Sequence, residues 1–155
     1  MDNTRIGRRP FIQGIGSVAL SAVHAGAANA QAAVPNSTGT ELPRLKAPPG
    51  ACDCHHHIYD AMRFPPKDPG PQFQPNARVE DYRLLQRRIG TTRNVIVTPA
   101  AYVDNNSVTL DAIARIGANA RGVALLTTAV TDAELKRLTD GGVRGVRFSQ
   151  NPPTV

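Results

Sequence analysis

The sequence contains no tryptophan, and its three tyrosines and four phenylalanines offer few platforms on which single-stranded nucleic acid could stack. Cysteine is nearly absent too: the two present stand two positions apart, which excludes a disulfide framework. Charged residues amount to only 19% and hydrophobic ones to 41%, the balance of a globular chain rather than a coiled coil or a charged disordered tail. No apolar run is long enough for a stable membrane anchor. The longest, near the N-terminus, is interrupted by Gln13, Gly14, Gly16, Ser17 and His24 and falls short of about 18 residues. Length is limited as well: 155 residues admit one ordinary domain, but not the roughly 250 of a complete (β/α)8 barrel.

What the chain has in excess is positive charge, 18 Lys plus Arg against 12 Asp plus Glu. Such a balance raises the question of a nucleic-acid or membrane partner. The charge is scattered, however, and Arg83, Arg87 and Arg88 fit the wet face of an amphipathic helix, so no nucleic-acid partner is expected. Part of it also sits in the first thirty residues, where Arg5, Arg8 and Arg9 precede an apolar, small-residue stretch from Phe11 to Ala25. Gly7-Arg8-Arg9-Pro10-Phe11-Ile12-Gln13 resembles a twin-arginine signal, and Ala28-Asn29-Ala30 offers a cleavage site. Residues 1–30 are therefore expected to be an export signal, with the periplasm as destination. Its removal takes three Arg and one Asp and leaves a formal charge of +4.

Residues 31–50, rich in Ala, Pro, Ser and Thr, read as a flexible linker or extended arm. Pro65, Pro66, Pro69, Pro71 and Pro75 make residues 61–76 a long surface loop. The remainder, 51–155, alternates strand and helix signals. Strands are expected over 51–58, 94–97, 122–127 and 143–148. One helix carries Val79, Tyr82, Leu85 and Ile89 on one face and stops at Gly90. A second has Leu110, Ile113 and Ile116 three apart, with Asn106 or Ser107 as N-cap and Gly117 at its end. A third opens with the capping box Thr131-Asp132-Ala133-Glu134 and ends at Gly141-Gly142. Strands separated by short helices argue for an α/β fold with a parallel sheet.

The densest chemical feature is Cys52-Asp53-Cys54-His55-His56-His57, at the end of the first strand. Regular alternation would put Asp53, His55 and His57 on one face and Cys52, Cys54 and His56 on the other, with Cys54 packed against the flanking helices. Two imidazoles two apart at a strand end can hold one metal ion or polarise one carbonyl. The bland alternative is a surface histidine tract. The C-terminal ends of strands are where ligands bind in open sheets and barrels, which favours the functional reading.

Here the chain resembles a known family. Asp53-Cys54-His55-His56-His57-Ile58-Tyr59-Asp60 followed by Arg63-Phe64-Pro65 is similar to the first-strand motif of the amidohydrolase-related family, within it the 2-pyrone-4,6-dicarboxylate lactonases. Val95-Ile96-Val97-Thr98-Pro99-Ala100-Ala101-Tyr102, running into Asn105-Asn106, and Gly142-Val143-Arg144-Gly145-Val146-Arg147-Phe148-Ser149 extend the likeness. The resemblance implies a partial TIM (β/α)8 barrel, about its first four parallel strands with their helices, as the N-terminal half of the domain. It implies His55 and His57 as catalytic residues, with no cofactor in a lactonase, or as ligands of a divalent metal such as zinc in a metal-dependent relative. Arg147 matches an arginine that binds a substrate carboxylate, and a guanidinium suits that task; Tyr102 is a further candidate to bind substrate. The expected activity is hydrolysis of a small cyclic carboxylate, the lactone of a dicarboxylate. A metal-dependent decarboxylase and a non-catalytic interaction module are the alternatives. The family's Gln-Pro-Ser is Thr98-Pro99-Ala100 here, and a second arginine is replaced by Asn151-Pro152-Pro153. The base aspartate and a later histidine implied by the family have no counterpart in this sequence, so the chain alone is expected to be a truncated, inactive piece. Its exposed sheet edges would allow self-association.

Overall fold

The computed structural model describes residues 33–71 and 73–148. The expected signal over 1–30 and the Asn151-Pro152-Pro153 stretch lie outside the described residues. The chain enters strand β1 (Cys52–His56), makes a small hairpin of β2 (Tyr59–Asp60) and β3 (Asn76–Ala77), and then forms helix α1 (Val79–Ile89). Strand β4 (Arg93–Val97), a short 3-10 turn (Ala100–Tyr102), helix α2 (Ser107–Ile116), strand β5 (Ala120–Leu125), helix α3 (Asp132–Asp140) and strand β6 (Val143–Arg147) follow. Strands β1, β4, β5 and β6 make one parallel sheet in that spatial order. The α/β alternation read from the sequence thus becomes four parallel strands with their helices. The hairpin was not anticipated. It draws together the ends of the proline-rich loop, Tyr59 opposite Ala77 and Asp60 opposite Asn76.

Local chemistry explains the helix ends. In α1 the Asp81 carboxylate accepts a hydrogen bond from the Arg78 amide at 3.1 Å, and Gly90 ends the helix with φ 78°, a left-handed conformation that suits glycine. In α3 the Thr131 hydroxyl accepts from the Glu134 amide at 3.2 Å, the cap the sequence predicts. In α2 the N-cap is Asn106, as expected, but Asn105 supplies the side-chain oxygen, accepting from the Ser107 amide at 3.1 Å. Asn106 turns its own amide inward.

The core forms where α2 lies on the sheet. Val108, Ala112 and Ile113 of the helix belong to one buried cluster with Ile96, Ala120, Ala124 and Val143 of the strands. Gly122 lets the two layers approach closely. A Cβ there would stand 2.8 Å from Cδ1 of Ile113 and 3.1 Å from Cγ2 of Val143.

Three expectations, on Arg88, on alternation in β1 and on Cys54, need correction. Arg88 is not on a wet face: it is only 8% exposed, and its guanidinium donates to the carbonyls of Gly39 and Thr38 and to the Ser37 hydroxyl. Residues 33–50 carry no helix or strand, yet they are held at this clamp and at Val34, which is buried. Regular alternation also fails in β1. Asp53 pairs with Asn94 and His56 with Ile96, so three steps on β1 match two on β4, and the bulge turns Asp53 to the same side as His56. Tyr82 of α1 marks that side, its hydroxyl 3.2 Å from the Asp53 carboxylate and its ring stacked on His56. Cys54 is exposed rather than packed against helices. No described helix is long and apolar enough to cross a membrane.

Candidate active site

The C-terminal ends of the strands gather three side chains from distant parts of the sequence. His57 follows β1, and its Nδ1 lies 2.8 Å from the carbonyl oxygen of Val97 at the end of β4. Arg147 ends β6, and its Nη1 donates to the next carbonyl, that of Thr98, at 3.3 Å. Two residues ninety apart in sequence are thereby tied to consecutive carbonyls. His55 lies beside His57 with its ring edge-on, the centroids 5.1 Å apart.

A bulge in the pairing of β6 sets the arginine's direction. Gly122 pairs with Val143 and Val123 with Gly145, so one step on β5 matches two on β6. Val143 therefore faces α2, while a Cβ at Gly145 would touch Val123 on the opposite face. Arg147, two residues beyond Gly145, shares the latter face. Regular alternation would put Val143, Gly145 and Arg147 on one face; the bulge splits Val143 from the other two, and the arginine still reaches the strand end.

The hydrogen bond of His57 fixes its tautomer. A carbonyl can only accept, so Nδ1 carries the proton and Nε2 of the neutral ring is left as an acceptor. Burial first, and then the charges of His55 and Arg147, push the His57 pKa down, while the bond to Val97 opposes the shift. The ring of His55 has no hydrogen-bond partner among the described residues. His56 serves structure: its Nε2 is 3.2 Å from Asn94, and burial pushes its pKa down.

Tyr102 does not join this group. It is fully buried, and its hydroxyl accepts from the Asp60 amide at 3.1 Å, which anchors the hairpin to the 3-10 turn. The expectation that it touches substrate is corrected on that ground. Tyr59, by contrast, stands beside His57 and lines the adjoining cavity. Its ring lies edge-on to His57 at 6.0 Å between centroids, and Arg147 is near enough to oppose the rise in phenol pKa caused by burial. The signal was available in the sequence: Tyr59 continues the alternation of His55 and His57 by one more step.

A cavity of about 230 Å³ has His56, His57, Tyr59 and Tyr82 among its walls, with Pro35 and Asn36 closing it from the arm; His55 and Arg147 lie outside its lining. A larger one of about 430 Å³, between Lys67, Asp104, Thr127 and Glu134, contains none of the candidate residues. Chemistry rather than size therefore marks the site. A metal is a poorer fit to what is present: a catalytic zinc takes three protein ligands, and among the described residues no group of three His, Cys, Asp or Glu comes together.

Comparison with known proteins places the chain in a family. The amidohydrolase family model matches residues 52–155. A 2-pyrone-4,6-dicarboxylate hydrolase of Comamonas testosteroni is 37% identical over 108 residues, 69% of this chain and 35% of the relative. A 4-sulfomuconolactone hydrolase of Rhizobium radiobacter is 36% identical over 130 residues, 79% of this chain and 42% of the relative. The structure of a probable 2-pyrone-4,6-dicarboxylic acid hydrolase from Acinetobacter baumannii, with citric acid bound, superposes with a TM-score of 0.56 at 25% identity, covering 64% of this chain and 37% of that one. The four-stranded sheet corresponds to part of a TIM-barrel amidohydrolase, and the chain spans 35% and 42% of the length of the two curated relatives.

Proposed function

The chain belongs to the amidohydrolase family, and from that premise we propose that its site takes part in opening the ring of a small lactone that carries carboxylate groups. The observation that carries the reading is the convergence of His57 and Arg147 on the carbonyls of Val97 and Thr98. Arg147 holds a carboxylate of the substrate through paired N–H donors. His55, whose ring nitrogens are uncommitted, donates to the lactone carbonyl. His57 with its free Nε2 accepts the proton of the attacking water, and becomes a donor to the carbonyl only once protonated. Tyr59 closes the side of the pocket. The names of the two curated relatives, a pyrone dicarboxylate hydrolase and a sulfolactone hydrolase, support an anionic ring as substrate class.

We further propose that the chain is exported to the periplasm, on the strength of Arg8-Arg9 and Ala28-Asn29-Ala30. Replacing both arginines with lysine in cells should keep the chain in the cytoplasm; unchanged export would refute this.

The substrate reading is tested by titrating the purified chain with 2-pyrone-4,6-dicarboxylate, following both lactone loss and the shifts of the histidine ring signals by NMR. Binding that perturbs His55 and His57 and is weakened about tenfold or more in Arg147→Met, as expected for loss of a charge-assisted pair, supports it. Equal affinity in Arg147→Met and the parent would overturn it.

A further inference from the structure

Cys52 and Cys54 are not used by the site above. Both thiols are free; Cys52 is half-buried and Cys54 exposed. They lie in the first half of β1, whereas His57 and Arg147 sit at the far ends of the strands. The Cys54 thiol folds back along the strand, its Sγ 3.6 Å from the Cys52 carbonyl oxygen, while Cys52 Sγ is 3.6 Å from the Asp53 carbonyl oxygen. Cys54 is near enough to act on Cys52: after burial, it is the main reason the Cys52 thiol has a raised pKa. Arg93, the register partner of Cys52 on β4, pulls the other way and favours the thiolate.

A direct disulfide suits this geometry badly. Two steps of extended strand separate the Cα atoms by about 6.6 Å, at the outer end of the disulfide range. A bridging ion eases the misfit, because two metal–sulfur bonds, with the zinc–sulfur length of about 2.3 Å as a guide, let the sulfurs stand as much as about 4.6 Å apart.

We propose that Cys52 and Cys54 form a two-thiolate site for a soft monovalent cation, Cu(I). Thiolate donors favour soft ions, Cu(I) and zinc among them. Zinc would require further ligands, and among the described residues no third His, Cys, Asp or Glu completes a group. Each thiol gives up its proton as its sulfur binds the ion, so two S–H bonds break, two S–Cu bonds form and two protons leave to solvent. No electron is transferred. The product is a bis-thiolate with one net negative charge, and Arg93 beside Cys52 is the cation that offsets it.

The test is anaerobic titration of the reduced full chain with Cu(I) against a chromophoric Cu(I) chelator, together with X-ray absorption of the loaded chain. One ion per chain is expected, with two sulfur neighbours. Affinity should fall by more than the roughly 10–100-fold typical of second-shell changes in Cys52→Ser and in Cys54→Ser, and stay within twofold in the His55→Asn, His57→Asn double variant. Nitrogen neighbours, failure of the parent chain to compete with the chelator, or an equal loss in the histidine variant would overturn the proposal. The absorption measurement uses the parent chain and so decides the matter even if a serine variant fails to fold.

Discussion

Replacing Asn106 with alanine should be among the most damaging single changes away from the site. The side chain is fully buried and joins three segments. Its Oδ1 accepts from the Thr98 hydroxyl at 2.7 Å and from the Leu125 amide at 2.9 Å, while its Nδ2 donates to the Leu125 carbonyl at 3.0 Å and to the Asp104 carbonyl at 3.1 Å. Alanine leaves both polar groups of the Leu125 backbone without these partners in a buried place. Each such group costs about 1–3 kcal/mol. Thr98 is spared, because its hydroxyl keeps Thr109 at 2.7 Å. The sum is a loss of about 2–6 kcal/mol, a large share of the roughly 5–15 kcal/mol that holds a domain together. Urea unfolding followed by circular dichroism measures it, with Asn105→Ala as the comparison, since that change removes only a helix-end bond and should cost about 1 kcal/mol. Because Asn106 also holds the Thr98 segment whose carbonyl receives Arg147, lactone binding should weaken along with stability. An Asn106→Ala midpoint within about 1 kcal/mol of the parent, at equal m-value, would refute the reasoning.

Arg88→Met keeps the length of the side chain but removes its bonds to Ser37, Thr38 and Gly39; cleavage by a low dose of protease within 33–45 should become rapid while the sheet stays protected in hydrogen exchange. The depressed pKa of His57 means that its folded form resists protonation, so the unfolded chain binds the proton first as pH falls below about 6.5. Stability should therefore be complete above that pH and decline below it, levelling off under the lowered folded value, and a His57→Gln variant should show a flatter melting-temperature profile between pH 5 and 7. Thr131→Ala removes the cap of α3 and should cost about 1 kcal/mol in thermal unfolding. Gly122→Ala should cost more than that, because its methyl meets Ile113 and Val143 inside normal contact distance.

Much of the architecture was legible in local patterns. Helix α1 ends at Gly90 and α3 opens at Thr131 because capping and periodicity are local properties, written in adjacent residues. Apolar β-branched runs marked the inner strands for the same reason. Side-chain direction was less legible, since a bulge depends on how two strands pair, and one in β1 and one in β6 shifted the faces of Asp53 and Val143. Arg88 and Tyr102 were misplaced because their partners, Gly39 and Asp60, lie 49 and 42 residues away.

The sequence by itself determined the parallel α/β pattern, the His55 and His57 pair and the family resemblance, because each rests on residue types at short spacing. Only the tertiary structure decided which side chains meet. It brought Arg147 to the carbonyl beside the one that orients His57, substituted Tyr59 for Tyr102 at the pocket, and buried Arg88 under the arm. Those outcomes depend on strand register and on where chain-distant carbonyls fall, and no run of adjacent residues encodes either.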